Sequence, residues 1–221
     1  MLQLYDQLLQ FPLFQGMSRD DLSQVAGHTK FDFLKISVGR PVVKENDTCD
    51  RLFFLLSGVL KVESWAHDRS YSVVEQASAP FMLQPEAIFG YNQRYTRSFS
   101  AQTDVSLVAI DKSEVMRLSE EFLVFRLNLL NIFATQTQKM SRSPWYACPQ
   151  SLRDRIVRFF AARVLRPAGP KTFFLLMTVL ANELNDSRLD VSRALNGMQR
   201  DGLLTLHRGR IEIPQMERLL M

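Results

Sequence analysis

Cysteine is scarce in this chain. Cys49 and Cys148 are the only two. They lie far apart in sequence and suit reduced thiols in a cytoplasm rather than a disulfide framework. Two cysteines also cannot supply the four thiolates of a usual iron–sulfur cluster. Histidine is nearly as rare, and His28, His67 and His207 show no metal-ligand spacing. Long apolar runs are missing, so no membrane span is expected. The opening MLQLYDQLLQ lacks a basic segment and contains Asp6, so no secretory leader is expected either. What is left is globular material, 46% apolar and 23% charged, and 221 residues suffice for two cores.

The charge is unevenly spread. Residues 141–221 hold 13 Lys and Arg against 7 Asp and Glu, while residues 1–140 hold 14 against 16. A basic C-terminal part beside a slightly acidic N-terminal part fits DNA binding by the first and not the second.

Within the basic part, residues 178–213 read TVLANELNDSRLDVSRALNGMQRDGLLTLHRGRIEI. Leu180, Ala181 and Leu184 share one face of a first short helix, which Thr178 can cap. Val191, Ala194, Leu195 and Met198 repeat at helical spacing in a second. Ser187 caps that second helix, with Asp190 completing a capping-box pattern. Asn185 between them tolerates the left-handed conformation of a tight turn. These are the marks of a helix-turn-helix.

The outward face of the second helix carries Arg188, Leu189, Ser192, Arg193 and Asn196, and Arg and Asn can make bidentate bonds to base edges. LLTLHRGRIEI behind it reads as a β-hairpin, with Arg208 and Arg210 at the tip beside a DNA backbone. An ordinary helical hairpin with a solvated basic face is the plainer alternative. Cap, small residue, turn, basic face and hairpin occurring in order favour DNA.

Upstream the character changes. Residues 1–28 read as two short helices, the second capped by Ser18 with Asp21. FDFLKI, GRPVVK, RLFFLL, GVLKVESW, YSVVEQ, SFSAQ and VSLVAI are closely spaced strands of a small barrel, roll or sandwich. Trp65, Tyr71, Phe81 and Phe89 are candidates for its interior. Residues 113–140 read as one long helix that is apolar around most of its circumference and so needs more than one packing partner. Phe122, Phe125, Leu129, Ile132 and Gln136 form a heptad-like seam expected to meet a second subunit. Residues 143–149, SPWYACP, break the pattern as a hinge.

LFFLLSGVLKVE, VSLVAIDKSEV and VSRALNGMQRDGLL, in this order of elements, resemble the cyclic-AMP receptor / fumarate-nitrate reduction regulator (Crp/Fnr) family of bacterial transcription factors. The resemblance spans essentially the whole chain. It implies an α+β fold: an N-terminal double-stranded β-helix (a cyclic-nucleotide-binding-like β-roll, residues 1–112), a dimerisation helix (113–142) and a C-terminal winged helix-turn-helix (143–221). It also implies a homodimer on a palindromic operator, with RNA polymerase among the partners. A signal in the roll would reposition the long helices and the DNA-reading heads.

Two departures stand out. Family recognition helices often display Arg, Glu and a later Arg. Arg188 and Arg193 match the arginines, but Leu189 stands where the Glu would be and can at most touch a thymine methyl. Nucleotide-binding members carry Gly-Glu and then Arg-Ser or Arg-Thr followed by Ala. Here the run is QPEAIFGYNQRYTRSFSAQ. Glu86, Arg94, Arg97 and Ser98 are the effector candidates, yet Pro85 replaces the Gly and removes an N–H donor, and Phe99 replaces the small residue. Cyclic AMP is therefore not the expected signal, the cofactor stays unassigned, and no enzymatic activity is expected. The competing classes are a cupin-like metal-dependent or small-molecule-binding protein, with only His67 among the strands to serve it, and a module whose helix-turn-helix contacts protein.

Overall fold

A computed structural model describes residues 2–142, 145, 147 and 149–221. Ser143, Pro144, Tyr146 and Cys148 of the expected hinge lie outside these. The chain divides into two compact units. One comprises Met1–Leu60 and Ala77–Tyr146, the other Lys61–Gln76 and Ala147–Met221. The hairpin arm 61–76, read from sequence as part of the roll, thus clusters with the C-terminal residues.

The first unit begins with α1 (Leu2–Leu8), a short 3-10 turn at Pro12–Phe14 and α2 (Arg19–His28). Ser18 caps α2, and the box with Asp21 is complete. The strands that follow in chain order are β1 (Asp32–Ile36), β2 (Pro41–Val43), β3 (Arg51–Ser57), β4 (Val59–Trp65), β5 (Ser72–Ser78), β6 (Phe81–Met82), β7 (Ser98–Ala101) and β8 (Val105–Asp111); β4 from Lys61 on and β5 up to Gln76 belong to the other unit. One sheet has the order β1-β8-β3-β6, and β2 pairs antiparallel with β7. β3 and β8 pair antiparallel from Arg51 opposite Asp111 onward. Each holds four consecutive buried residues, as central strands covered on both faces do.

Two helices close the unit, α3 (Lys112–Glu121) and α4 (Leu123–Arg142). The single helix expected over 113–140 is therefore broken. Phe122 has the extended angles φ −118° and ψ 108°, which interrupts the helical ladder.

The expected seam is also corrected. Phe122, Phe125 and Leu129 are 9%, 0% and 6% exposed, so they cannot meet another subunit. The Pro12–Phe14 turn takes that face. Phe14 lies 5.5 Å from Phe125 and 5.6 Å from Phe54 on β3. Asn128 donates to the carbonyls of Leu13 and Gln15, which fixes the turn on α4. Ile132 is half-buried and Gln136 exposed. The apolar stripe left outward is Leu123, Leu127 and Leu130.

The second unit contains α5 (Leu152–Ala161), β9 (Lys171–Phe174), α6 (Met177–Leu184), α7 (Arg188–Arg200), β10 (Thr205–His207), β11 (Arg210–Ile213) and α8 (Met216–Leu219). Its sheet runs β10-β11-β9-β5-β4. β5 pairs antiparallel with β9, Ser72 opposite Phe174 through Glu75 opposite Lys171. Phe160, Phe173, Leu180, Val191, Leu195 and Ile211 make the centre of its core, and Val73 from β5 joins them.

This placement changes two of the four aromatics assigned to the roll interior. Trp65 is 41% exposed, with the Arg69 guanidinium over its ring. Tyr71 packs on Phe159 in the second unit. Phe81 packs against Phe99, and Phe89 lies edge-on to Phe133, both in the first unit.

A candidate nucleic-acid interface

The site is built on α6, α7 and the β10–β11 hairpin. α6 ends where Asn185 adopts φ 50°, ψ 52°, the left-handed conformation that asparagine tolerates. The Asp186 N–H then returns to the Ala181 carbonyl at 3.0 Å, a Schellman-type closure. Arg155 on α5 braces this turn from below. It donates to the Leu184 carbonyl at 2.9 Å and pairs with Asp186. Asp186 also accepts the Ser187 N–H at 2.8 Å. That backbone bond first, and Arg155 second, hold the Asp186 carboxyl below its ordinary range.

Ser187 caps α7 by accepting the Asp190 N–H at 3.0 Å. The box expected with Asp190 is only half made, because the Ser187 N–H goes to Asp186. Thr178 is not a cap: α6 starts at Met177, with Leu176 as N-cap two residues before Thr178 and no side-chain bond. Thr178 instead stands exposed in the first turn of α6, beside Arg188, His207, Arg208 and Gly209, around a hollow of about 420 Å³.

Val191, Leu195 and Met198 face the core. Leu189, Arg193 and Asn196 are exposed on the opposite side, with Ser192 half-buried among them, and Arg188 is exposed at the first position of the helix. Arg193 reaches Asp190 at 3.3 Å with its side chain 70% exposed, and so open a pair leaves the guanidinium free to swing. Asn196 donates to the Ser192 carbonyl at 2.8 Å. Gln199 accepts the Leu206 N–H at 2.7 Å, which ties β10 to α7.

The hairpin turns at Arg208 and Gly209, where Gly209 has φ +70° and any other residue would be strained. Arg208 is exposed at the tip. Arg210 is not at the tip as expected; it begins β11, half-buried, with its Nε 3.2 Å from Glu212. Glu212 also meets His207 at 3.3 Å. That ion pair is half open to solvent, so it holds the Arg210 charge only loosely.

The effector candidates lie in the first unit, and Glu86, Arg94 and Ser98 each make a local hydrogen bond. Pro85 opens a 3-10 turn, Pro85–Ala87, behind Gln84 at φ 32°. The Gln84 side chain donates to Glu86 at 3.5 Å and to the Thr96 hydroxyl at 2.7 Å. Glu86 itself is exposed. Arg94 donates to the Asn46 carbonyl, and the Ser98 hydroxyl accepts the Glu45 N–H. Arg97 is half-buried. Phe99 is fully buried. Sequence reasoning passed over Tyr95, which is buried and donates to the Arg51 carbonyl at 3.0 Å. Burial is the main cause that holds its hydroxyl in the protonated form. No helix among the described residues is long and apolar enough to cross a membrane.

A β-roll with a helix-turn-helix and β-hairpin wing defines a DNA-binding transcription regulator. Residues 33–122 match the cyclic nucleotide-binding domain model, and residues 154–221 match the Crp-like helix-turn-helix domain model. The chain belongs to the Crp/Fnr family of transcription regulators. Its fold is similar to that of the Thermus thermophilus catabolite activator protein, at 18% identity and a TM-score of 0.52, over 95% of this chain and 97% of that one. It is also similar to the sensor domain of the transcriptional regulator DNR from Pseudomonas aeruginosa, at 16% identity and a TM-score of 0.55, over 68% of this chain and 97% of that domain. Identities this low speak for the fold alone. No curated protein matches the chain.

Proposed function

We propose that this regulator works as a homodimer that reads a palindromic operator, under control of a signal other than cyclic AMP bound in its roll. It acts without catalysis, and RNA polymerase is among its partners. The observation that carries the DNA reading is the exposed face of α7: Leu189, Arg193 and Asn196 stand together, with Arg188 exposed at the helix start, on a helix capped at Ser187 and braced through Asp186 by Arg155. In a helix-turn-helix such a face enters the major groove, and two copies meet half-sites about 34–36 Å apart. Arg208 at the wing tip, with Thr178 and Ser187, suits phosphate contact, which positions without specifying.

The outward stripe of Leu123, Leu127 and Leu130 on α4 supports the dimer, since an apolar stripe on a solvent-facing helix needs a partner. Buried Phe99 and Pro85 support a signal other than cyclic AMP, with Glu86, Arg94, Arg97 and Ser98 left to line whatever site the roll offers. Selection from a random duplex pool tests the reading. An enriched inverted repeat is expected, bound without added nucleotide. A pool that enriches nothing overturns it, and a pool that enriches only with cyclic AMP present overturns the claim about the signal.

A further inference from the structure

Leu189 is 60% exposed in the first turn of α7. Exposed leucines standing singly are ordinary on protein surfaces. The company of this one gives it meaning. Ser192, Arg193 and Asn196 follow at spacings of three, four and seven residues, so all four share one face. The packing stripe of Val191, Leu195 and Met198 lies elsewhere on the helix. Leu189 is therefore the apolar member of an otherwise polar surface, at the end of the helix whose residues meet base edges.

The major groove presents hydrogen-bond donors, acceptors and a single apolar group, the thymine C5-methyl. Resting on the reading that α7 lies in that groove, we propose that Leu189 reads a thymine methyl and Arg193 a guanine one or two base steps away. Exclusion and gain act together. Leu189 set against the cytosine amino group would strip a donor of water and offer it no acceptor. Set against thymine, it buries methyl on methyl. The spacing follows from geometry. Four residues rise about 6 Å along a helix, and a base step rises about 3.4 Å. Arg193 is free to turn to guanine, because its pairing with Asp190 at 3.3 Å is open to solvent.

The test begins with the sequences enriched from a random pool, where a thymine and a guanine should sit one or two steps apart in each half-site. Each thymine is then replaced by deoxyuridine, which removes the methyl and keeps every hydrogen-bonding atom. Affinity should fall about fourfold at one position per half-site, as burial of one methyl group implies. The same replacement should lose most of that effect in Leu189→Ala, whose thermal midpoint should equal that of the parent because the side chain is exposed. A flat deoxyuridine scan on an enriched operator overturns this inference and leaves DNA reading intact. Undiminished sensitivity in Leu189→Ala overturns it as well. A pool with no enriched sequence overturns both.

Discussion

The Glu75 carboxylate and the Lys171 ammonium meet at 3.0 Å with both side chains 1% exposed, directly across the pairing of β5 with β9. Charges are seldom buried so deeply unless their remaining bonding capacity is used. Glu75 fills the rest of its capacity from the backbone. It accepts the Leu165 N–H at 2.7 Å and the Arg166 N–H at 3.4 Å. Arg163 adds a second tie. It donates to the Tyr71 hydroxyl and to Glu183, with its guanidinium 3.7 Å above the Phe159 ring. Residues 61–76 are thereby a structural part of the unit that carries the helix-turn-helix.

Glu75→Gln should be strongly destabilising, by about 3–5 kcal/mol, because it leaves the Lys171 charge buried without its counterion. Glu75→Gln with Lys171→Met should recover a good part of that loss. Urea unfolding followed by Trp65 fluorescence, in a Trp145→Phe background, reads the unit directly. Equal midpoints for the parent and Glu75→Gln would mean that the pair is not structural.

Leu127→Glu and Leu129→Glu should separate assembly from folding. Leu127 is 48% exposed, whereas Leu129 is 6% exposed. Glu at 127 should give a folded monomer by light scattering at micromolar concentration. Glu at 129 should instead lower the thermal midpoint, since a lone buried carboxylate costs several kcal/mol. A wild type that is already monomeric, or a Leu127→Glu protein that stays dimeric, would remove the α4 stripe from the interface.

The turn of the helix-turn-helix should weaken in acid. The Asp186 carboxyl titrates below its ordinary value of 3.8, through the Ser187 N–H first and Arg155 second. A carboxylate depressed in the folded state contributes stability above its unfolded pKa and loses it as the pH falls through the folded one. The thermal midpoint of the parent should exceed that of Asp186→Asn at pH 6, and the gap should close below about pH 4. A gap that stays constant from pH 6 to pH 3 would contradict this.

The reading head was the most legible part of the chain because its signals are local. Ser187, Asn185 and the period of Val191, Leu195 and Met198 are each decided within a few residues. The Thr178 cap failed by two residues, since a helix can begin at Met177 behind Leu176 as N-cap with no side-chain bond. The seam on α4 failed for a different reason. An all-round apolar helix shows that two partners exist and does not say which face each takes. Phe14, more than a hundred residues upstream, decides that by packing on Phe125. The strand pairing of β5 with β9 is equally non-local. Its trace in the sequence is a glutamate in YSVVEQ and a lysine in KTFFLLM, each breaking an apolar strand pattern. Arg155 was invisible because amphipathic periodicity does not say which carbonyl a long side chain will reach.

Arg193 bears the claim that α7 reads sequence. The plainer alternative is that Arg193 merely braces the helix through Asp190, 3.3 Å away. The deciding quantity is the ratio of affinity for the selected operator to affinity for random DNA, with and without Arg193→Ala. A base-reading arginine should cost about 1–3 kcal/mol per half-site on the operator and little on random DNA. Arg208→Ala serves as the control. It should weaken both DNAs alike and shallow the salt dependence by about one phosphate contact. If Arg193 reads sequence, its removal collapses the ratio while the thermal midpoint holds. An unchanged ratio in Arg193→Ala, with both affinities and the midpoint falling together, would contradict it.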